Sequence, residues 1–247
     1  MNKKDVIKLL RQHCDPIGLN LIRVLSARRA DEAMAGPIKT GHLLAGVSSI
    51  IMVGNYGPAM WEALQADIEA DRERYDSLDD PVDVFTSRSM ENAAEELAAK
   101  GATALAVYPW RQETSGFLPF QAWSIACGFG AMGLTGVVIH PTYGPWLSLR
   151  GAILTDIEME PDRQLVDFDP CGKCAAPCFK ACPGDAVSRE GCDVQKCLRA
   201  RLFDPACETC CTAREECVYG KEYRFSREEI TYHSFSGIRK IRHMMGH

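Results

Sequence analysis

Cysteine is concentrated in one short segment of the chain, and this concentration constrains the fold more than any other feature of the sequence. Ten of the twelve cysteines lie between Cys171 and Cys217, and only Cys14 and Cys127 lie outside that segment. Such a concentration predicts a disulfide framework, a structural zinc site or an iron–sulfur site. Because the charged N-terminal residues contain no apolar core of an export signal, we expect a cytoplasmic protein, in which a disulfide framework is disfavoured.

Composition excludes several classes of protein. Charged residues make up 25% of the 247 residues, and the formal net charge is −5. An acidic balance of this kind disfavours a general nucleic-acid coat and a polybasic membrane-binding surface. The longest apolar run, roughly residues 43–54, is interrupted by serines and is too short to span a bilayer. We therefore expect no membrane association, and we disfavour a nucleic-acid partner.

The pattern of apolar residues predicts an α/β (α+β) fold for the cysteine-poor part of the chain. Apolar residues at helical spacing near the N-terminus precede short β-branched runs such as residues 48–53, and glycine or proline marks the ends of these segments. A polar, acidic stretch over residues 161–169 leads into the cysteine-rich segment. We predict domains of 1–168, 169–220 and 221–247, the last being a C-terminal tail.

The most specific motif has the spacing C-x2-C-x3-C-x3-C-P, and its residues are Cys171, Cys174, Cys178, Cys182 and Pro183. Bacterial ferredoxins use C-x2-C-x2-C-x3-C-P, in which the fourth cysteine binds a different cluster from the first three. The present motif is one residue longer, and we expect Pro177 to mark the place where the extra residue is accommodated. The motif favours an iron–sulfur site over zinc.

Two [4Fe-4S] clusters need eight thiolates, and ten clustered cysteines are available to supply them. The first cluster is assigned the ligands Cys171, Cys174, Cys178 and Cys217. The second cluster is assigned the ligands Cys182, Cys197, Cys207 and Cys210. Cys211 competes with Cys217 for the late position, and Cys192 has no assigned role. Two alternatives stay open: a single cluster with additional thiols, and one zinc ion held by the two C-x2-C pairs.

Three further motifs precede the cysteines. They are a G-x-G-x-x-G stretch at Gly128–Gly133, a P-T-Y-G-P-W stretch at Pro141–Trp146 and an A-I-L-T-D stretch at Ala152–Asp156. Followed by the cysteine motif, this order of motifs resembles the epoxyqueuosine reductases. The resemblance covers roughly residues 38–215, and related proteins include the reductive dehalogenases.

The resemblance implies a nitroreductase-like sheet-and-helix domain followed by a small ferredoxin-like two-cluster domain, with a cobalamin held between them. The residues implied to contact the cobalamin are Gly128, Gly130, Gly133, Tyr143, Gly144 and Trp146. Glycine has no Cβ and lets the backbone approach a flat macrocycle, but it also permits close packing between chain segments. For the two aromatic residues, the alternative is a role as loop anchors.

The family's catalytic acid has no matching carboxylate in this chain. Its position falls on Ser115, and the nearby carboxylate is Glu113, so these two residues are the catalytic candidates. The family's tRNA-reading C-terminal extension also has no counterpart after the cysteine segment. We therefore expect a task other than epoxyqueuosine reduction on tRNA.

Together, these features favour a cytoplasmic iron–sulfur oxidoreductase. Two [4Fe-4S] clusters would pass electrons from a low-potential donor (ferredoxin, flavodoxin or a reductase) to cobalamin, for reductive chemistry on a small-molecule substrate. One alternative is a cobalamin reduction or handling protein without an organic substrate. The other is a ferredoxin-type electron carrier without a corrinoid.

Overall fold

The computed structural model describes residues 1–33, 39–110, 112–113 and 116–244, and it describes side chains at all of these except 112–113, 116–117 and 244. The chain forms two compact units. The first comprises Met1–Gly130 and Leu147–Val166, and the second comprises Ala131–Trp146 and Asp167–His247. The predicted domain boundaries stay a prediction, but residues 131–146 pack with the cysteine-rich segment rather than with the rest of 1–168.

In the described part of the chain, the α-helices are α1 (Lys3–Cys14), α2 (Ala27–Glu32), α3 (Thr40–Leu43), α4 (Ala59–Ala70), α5 (Arg72–Asp76), α6 (Pro81–Ala99), α7 (Phe120–Ala126), α8 (Cys178–Ala181), α9 (Val194–Phe203), α10 (Thr212–Glu215) and α11 (Arg227–Met244). The strands are β1 (Leu21–Ser26), β2 (Ser49–Tyr56), β3 (Ala104–Val107), β4 (Gln112–Glu113), β5 (Gly116–Phe117), β6 (Ala131–Met132), β7 (Val138–Ile139), β8 (Leu147–Thr155), β9 (Val187–Ser188) and β10 (Gly191–Cys192). Short 3-10 segments occupy Asp15–Ile17, Pro205–Cys207 and Lys221–Tyr223.

A four-stranded antiparallel sheet in the order β1–β2–β8–β3 lies at the centre of the first unit. Its two middle strands carry apolar core residues, and Ile51 and Ile153 on them are fully buried. The register of β2 shifts between Val53 and Gly54, where an added Cβ on Gly54 would overlap the carbonyl oxygen of Ser148. The mixed helix-and-sheet fold expected from the sequence is confirmed.

Side-chain caps mark the starts of two neighbouring helices of the first unit. Asp80 accepts a hydrogen bond from a first-turn backbone N–H and Pro81 occupies the first turn, so α6 begins at Pro81. Asp71 caps α5 in the same way. Its non-helical backbone separates α4 from α5.

The second unit is built from short elements. Two small hairpins, β6–β7 and β9–β10, accompany the helices α8 to α11. The segment predicted as a C-terminal tail contains α11, whose start is capped by Ser226 Oγ through the Glu229 N–H at 3.1 Å. Arg201 on α9 donates to the Ser234 carbonyl at 2.9 Å and ties α11 to α9. None of the described helices is long and apolar enough to cross a membrane.

Candidate metal centre

Four cysteines of the second unit line one cavity. They form the first thiol set, which consists of Cys171, Cys174, Cys178 and Cys217. The cavity has a volume of about 30 Å³, and its wall includes the apolar residues Leu134, Ile139, Ala176 and Val218. This space exceeds what one water molecule needs, and thiolate sulfur is the ligand that holds iron–sulfur clusters. The structure therefore brings together all four cysteines assigned to the first cluster; that they hold a cluster stays a prediction.

The loop that carries the first three of these cysteines is fixed by two charged side chains. Asp169 Oδ1 accepts hydrogen bonds from the N–H groups of Cys171, at 3.2 Å, and Gly172, at 2.9 Å. The Arg189 guanidinium donates to the carbonyl oxygens of Cys171 and Cys174, at 3.1 and 2.8 Å. Neither charged residue was among the site residues predicted from the sequence. An Asp just before a turn is a recognisable Asx-turn signal, whereas no sequence pattern indicates the contact of Arg189.

The extra residue of the cysteine motif produces an uncommon backbone conformation. Ala176 has a φ of 54°, a left-handed conformation that costs a residue with a Cβ about 1–2 kcal/mol. Its N–H lies 3.4 Å from Cys174 Sγ, and an N–H donor of this kind stabilises negative charge on a ligand sulfur. Pro177 follows with a right-handed φ of −59° and precedes α8. The left-handed backbone of Ala176 therefore accommodates the extra residue of the motif. Ala176 directly precedes Pro177, the position that the sequence predicted for this role.

Burial and crowding raise the pKa values of thiols in the first set. Burial raises the pKa of Cys178, and the neighbouring Cys171 and Cys174 raise it further. Burial also raises the pKa of Cys217, with contributions from the same two neighbours. Because metal binds the thiolate form, loading of this set with iron must release protons.

Five other cysteines form the second thiol set, which consists of Cys182, Cys192, Cys197, Cys207 and Cys211. Cys182 and Cys211 each interact electrostatically with the other three members. Burial raises the pKa of Cys207 to about 11, and Asp204 and Cys211 contribute to the rise. A [4Fe-4S] cluster has four cysteine ligands, so this set holds one thiol more than a cluster uses.

Backbone hydrogen bonds position three members of the second set. Cys182 Sγ accepts from the Ala186 N–H at 3.4 Å, and the Ala186 carbonyl accepts from the Asp193 N–H at 2.8 Å. This pair of bonds brings Cys192, which precedes Asp193, close to Cys182. The Asp193 side chain caps α9, and the Asp193 carbonyl accepts from the Cys197 N–H at 2.9 Å. Cys192 and Cys197 therefore flank one helix cap.

Cys210 and Cys211 occupy different environments. The residue after Cys211 is Thr212, whose hydroxyl donates to the Ala181 carbonyl next to Cys182, and α10 packs against α8. Cys210 is buried instead in an apolar cluster with Trp146, Phe225 and Ile230. The spacing predicts Cys210 as a ligand of the second cluster, whereas the surroundings of the two side chains favour Cys211, because Cys211 and not Cys210 interacts with the other thiols. C-x2-C spacing alone could not separate them.

Three of the glycines implied to contact a cobalamin lie against the chain itself. An added Cβ on Gly128 would overlap a backbone carbonyl oxygen within the first unit. Within the second unit, a Cβ on Gly144 would overlap the Tyr219 carbonyl, and one on Gly133 would crowd the Ile139 side chain. These positions need glycine for close packing of chain segments. In each case the space that a Cβ would occupy is taken by other protein atoms.

The two aromatic residues implied to contact a cobalamin are packed within the second unit. The Tyr143 ring stacks on His140, with ring centroids 4.3 Å apart, and meets Tyr223 edge-on at 4.9 Å. Trp146 is buried, and the Arg214 guanidinium carbon lies 4.8 Å from its ring centroid. The structure therefore gives both residues a role as loop anchors, and their contact with a cobalamin stays a prediction.

The structure describes no side-chain contacts for the predicted catalytic residues. Ser115 lies outside the described residues, and only the backbone of Glu113, in β4, is described. Gly130, the remaining glycine implied to contact a cobalamin, is buried.

Within the described part of the chain, no three His, Cys, Asp or Glu side chains converge closely enough to hold a single metal ion. None of the twelve cysteines, all of which lie in the described part of the chain, forms a disulfide.

Two thiol sets, in a chain that also folds a mixed sheet-and-helix unit, define a candidate iron–sulfur protein. No protein-family model matches the chain. Two curated relatives are named epoxyqueuosine reductase. The protein from Synechocystis sp. is 33% identical over 101 residues, which are 40% of this chain and 34% of that protein. The protein from Gloeobacter violaceus is 35% identical over 79 residues, which are 32% of this chain and 24% of that protein. The match spans about a third or less of these relatives.

Solved structures share the fold over most of the chain. An epoxyqueuosine reductase from Streptococcus thermophilus aligns with a TM-score of 0.61 at 18% identity, covering 90% of this chain and 67% of that one. An epoxyqueuosine reductase solved with a tRNA stem loop aligns with a TM-score of 0.62 at 18% identity, covering 92% of this chain and 68% of that one. These similarities establish a common fold.

Weaker similarity extends to two other proteins. The B12-trafficking protein CblC from C. elegans aligns with a TM-score of 0.51 at 11% identity, covering 95% of this chain and 96% of that one. A catabolic reductive dehalogenase aligns with a TM-score of 0.57 at 14% identity, covering 96% of this chain and 36% of that one.

These comparisons correct two expectations. The sequence analysis set epoxyqueuosine reduction aside and disfavoured a nucleic-acid partner. The curated relatives carry that activity in their names, and one structure with the same fold was solved with a tRNA stem loop. Neither exclusion is supported.

Proposed function

We propose that this protein is an iron–sulfur reductase that uses two [4Fe-4S] clusters together with cobalamin. The observation that carries the proposal is the grouping of nine cysteines into two thiol sets, each with enough thiols for one cluster. The fold shared with epoxyqueuosine reductases and with proteins whose names refer to B12 supports the cobalamin part. The proposal includes a nitroreductase-like and a ferredoxin-like domain, a cytoplasmic location and a low-potential electron donor.

The residues of the first thiol set suit a cluster by their donor chemistry and surroundings. Four thiolates would bind iron, the apolar wall would limit water, and the Ala176 N–H would stabilise charge on Cys174. Asp169 and Arg189 would keep the loop in one conformation before and after loading. A [4Fe-4S] cluster, when bound, supplies one-electron transfer at low potential.

The residues of the second thiol set suit a cluster as well, with Cys211 in place of Cys210. The Ala186 N–H would stabilise charge on Cys182, while the cap of α9 holds Cys197 close by. We assign no residue to the cobalamin, because the glycines implied for it pack against the chain itself.

We propose epoxyqueuosine in tRNA as the first substrate to test, since the curated relatives are named for its reduction. Cobalamin handling without an organic substrate is the second candidate. It is favoured by the match to CblC, which covers 95% of this chain and 96% of that one.

Metal analysis of protein purified anaerobically tests the cluster part of the proposal. We expect about eight iron atoms and about eight sulfides per chain, with a broad charge-transfer absorption that bleaches on reduction. A Cys127→Ala variant is the matched control, since this cysteine is buried in the first unit and lies outside both thiol sets. Zinc without sulfide would overturn the proposal.

Addition of cobalamin and of tRNA tests the remaining parts. Reduced protein is mixed with cobalamin, followed by absorption spectroscopy, and then with tRNA that contains epoxyqueuosine, followed by nucleoside analysis. Conversion of the nucleoside supports the reductase, whereas reduction of bound cobalamin without conversion supports cobalamin handling. Absence of cobalamin binding would overturn both candidates and leave an electron carrier.

A further inference from the structure

The second thiol set contains two cysteines that compete for one position. Cys192 ends β10, and Cys197 lies in the first turn of α9, on either side of the Asp193 cap. Each of the two thiols interacts electrostatically with the other, with Cys182 and with Cys211. They therefore share the same surroundings.

The other three members of the set differ from this pair. Cys182 is fixed by the N–H of Ala186, and Cys207 by a bond from its own N–H to the Asp204 carbonyl at 2.9 Å. Cys211 precedes α10, and its carbonyl accepts from the Arg214 N–H at 2.9 Å. These three cysteines lie on separate elements, and Cys210, the thiol next to Cys211, is buried in an apolar cluster instead.

We propose that Cys182, Cys207 and Cys211 are constant ligands of the second cluster, and that Cys192 and Cys197 are interchangeable ligands at its fourth position. This inference rests on the proposed function. An exchange would break one iron–sulfur bond to a cysteine and form another, and the proton lost by the incoming thiol would pass to the outgoing thiolate. The oxidation state of the cluster would not change.

Alanine variants test the exchange through iron content. Cys192→Ala, Cys197→Ala and the double variant are purified anaerobically and analysed for iron, sulfide and the electron paramagnetic resonance signal of the reduced protein. We expect each single variant to keep about eight iron atoms, and the double variant to keep about four, which belong to the first cluster. The signal of the second cluster should shift in Cys197→Ala without losing intensity.

Two further variants serve as controls. Cys182→Ala should lose about half of the iron, since no spare thiol replaces it, and Cys210→Ala should keep all of it. The iron retained in the first cluster reports that each variant is folded. Loss of half of the iron in Cys192→Ala or Cys197→Ala alone would overturn this inference and leave the proposed function intact. Wild-type protein without two clusters would overturn both.

Discussion

The two thiol sets present the same donor atoms in different protein surroundings. In the first set, four thiols line one largely apolar cavity, and three of them come from a single loop. In the second set, five thiols come from separate elements: the end of α8, β10, α9, a 3-10 segment and the residue before α10. The first set has no spare ligand and the second has one. Removal of any thiol of the first set should therefore cost a cluster, whereas removal of Cys192 or Cys197 alone from the second set should not.

The largest expected effect comes from removing one thiol of the first set. Cys178→Ala should lower the iron content from about eight to about four atoms per chain, because no other thiol lines the cavity. Metal analysis with sulfide determination measures the loss. Retention of all the iron in this variant would show that the first set also has a replacement ligand, and the contrast between the sets would disappear.

The sequence predicted the first set better than the second for a physical reason. Short spacing within one loop forces Cys171, Cys174 and Cys178 to converge, so the motif alone identifies them. Cys210 and Cys211 are adjacent, and which of them faces the thiols depends on the packing of Trp146 and its apolar neighbours. Packing of this kind brings together residues far apart in the chain, and spacing cannot report it.

Backbone strain gives the second prediction. Ala176→Val should destabilise the first set by about 2 kcal/mol, because a β-branched residue tolerates a left-handed φ poorly, whereas Ala176→Gly should stabilise it by about 1 kcal/mol. Chemical denaturation of the metal-free protein measures both. The matched position near the second set is Asp185, with a φ of 47°. Because Asp adopts this conformation more readily than Ala, Asp185→Gly should raise the free energy of unfolding by less than Ala176→Gly does. An equal gain in the free energy of unfolding from Ala176→Gly and Asp185→Gly would contradict the conclusion that Ala176 carries the larger backbone strain.

The Arg189 contact gives a third, smaller effect. Arg189→Lys keeps the charge but cannot donate two bonds in the same geometry to the carbonyls of Cys171 and Cys174. Loss of about 1 kcal/mol should speed release of iron from the first set to a chelator about five-fold. Lys196→Ala is the control, because Lys196 contacts Asp185 near the second set. Equal rates of iron release from the wild type and from Arg189→Lys would show that this contact does not stabilise the first thiol set.

The first unit shows a similar limit of sequence analysis. Its strands were predictable because runs such as residues 50–53 are continuously apolar, and such runs are typical of buried strands. The role of Gly128 could not be predicted, because a glycine that approaches a cofactor and a glycine that approaches another chain segment look alike in sequence. The overlap that a Cβ would make with the Arg163 carbonyl is visible only once the fold brings the two segments together.

The smallest predicted effect compares the thiol sets with a cysteine outside them. Burial raises the pKa of Cys127 from 9.0 to about 12, so the folded state favours the neutral thiol. Its contribution to the free energy of unfolding is complete below pH 9 and is lost as the pH rises toward 12. Between pH 8 and 9.5 the wild type should lose about 0.8 kcal/mol more than Cys127→Ala, as measured by denaturation of metal-free protein at each pH. Parallel losses in the two proteins would mean that Cys127 titrates at its ordinary pKa.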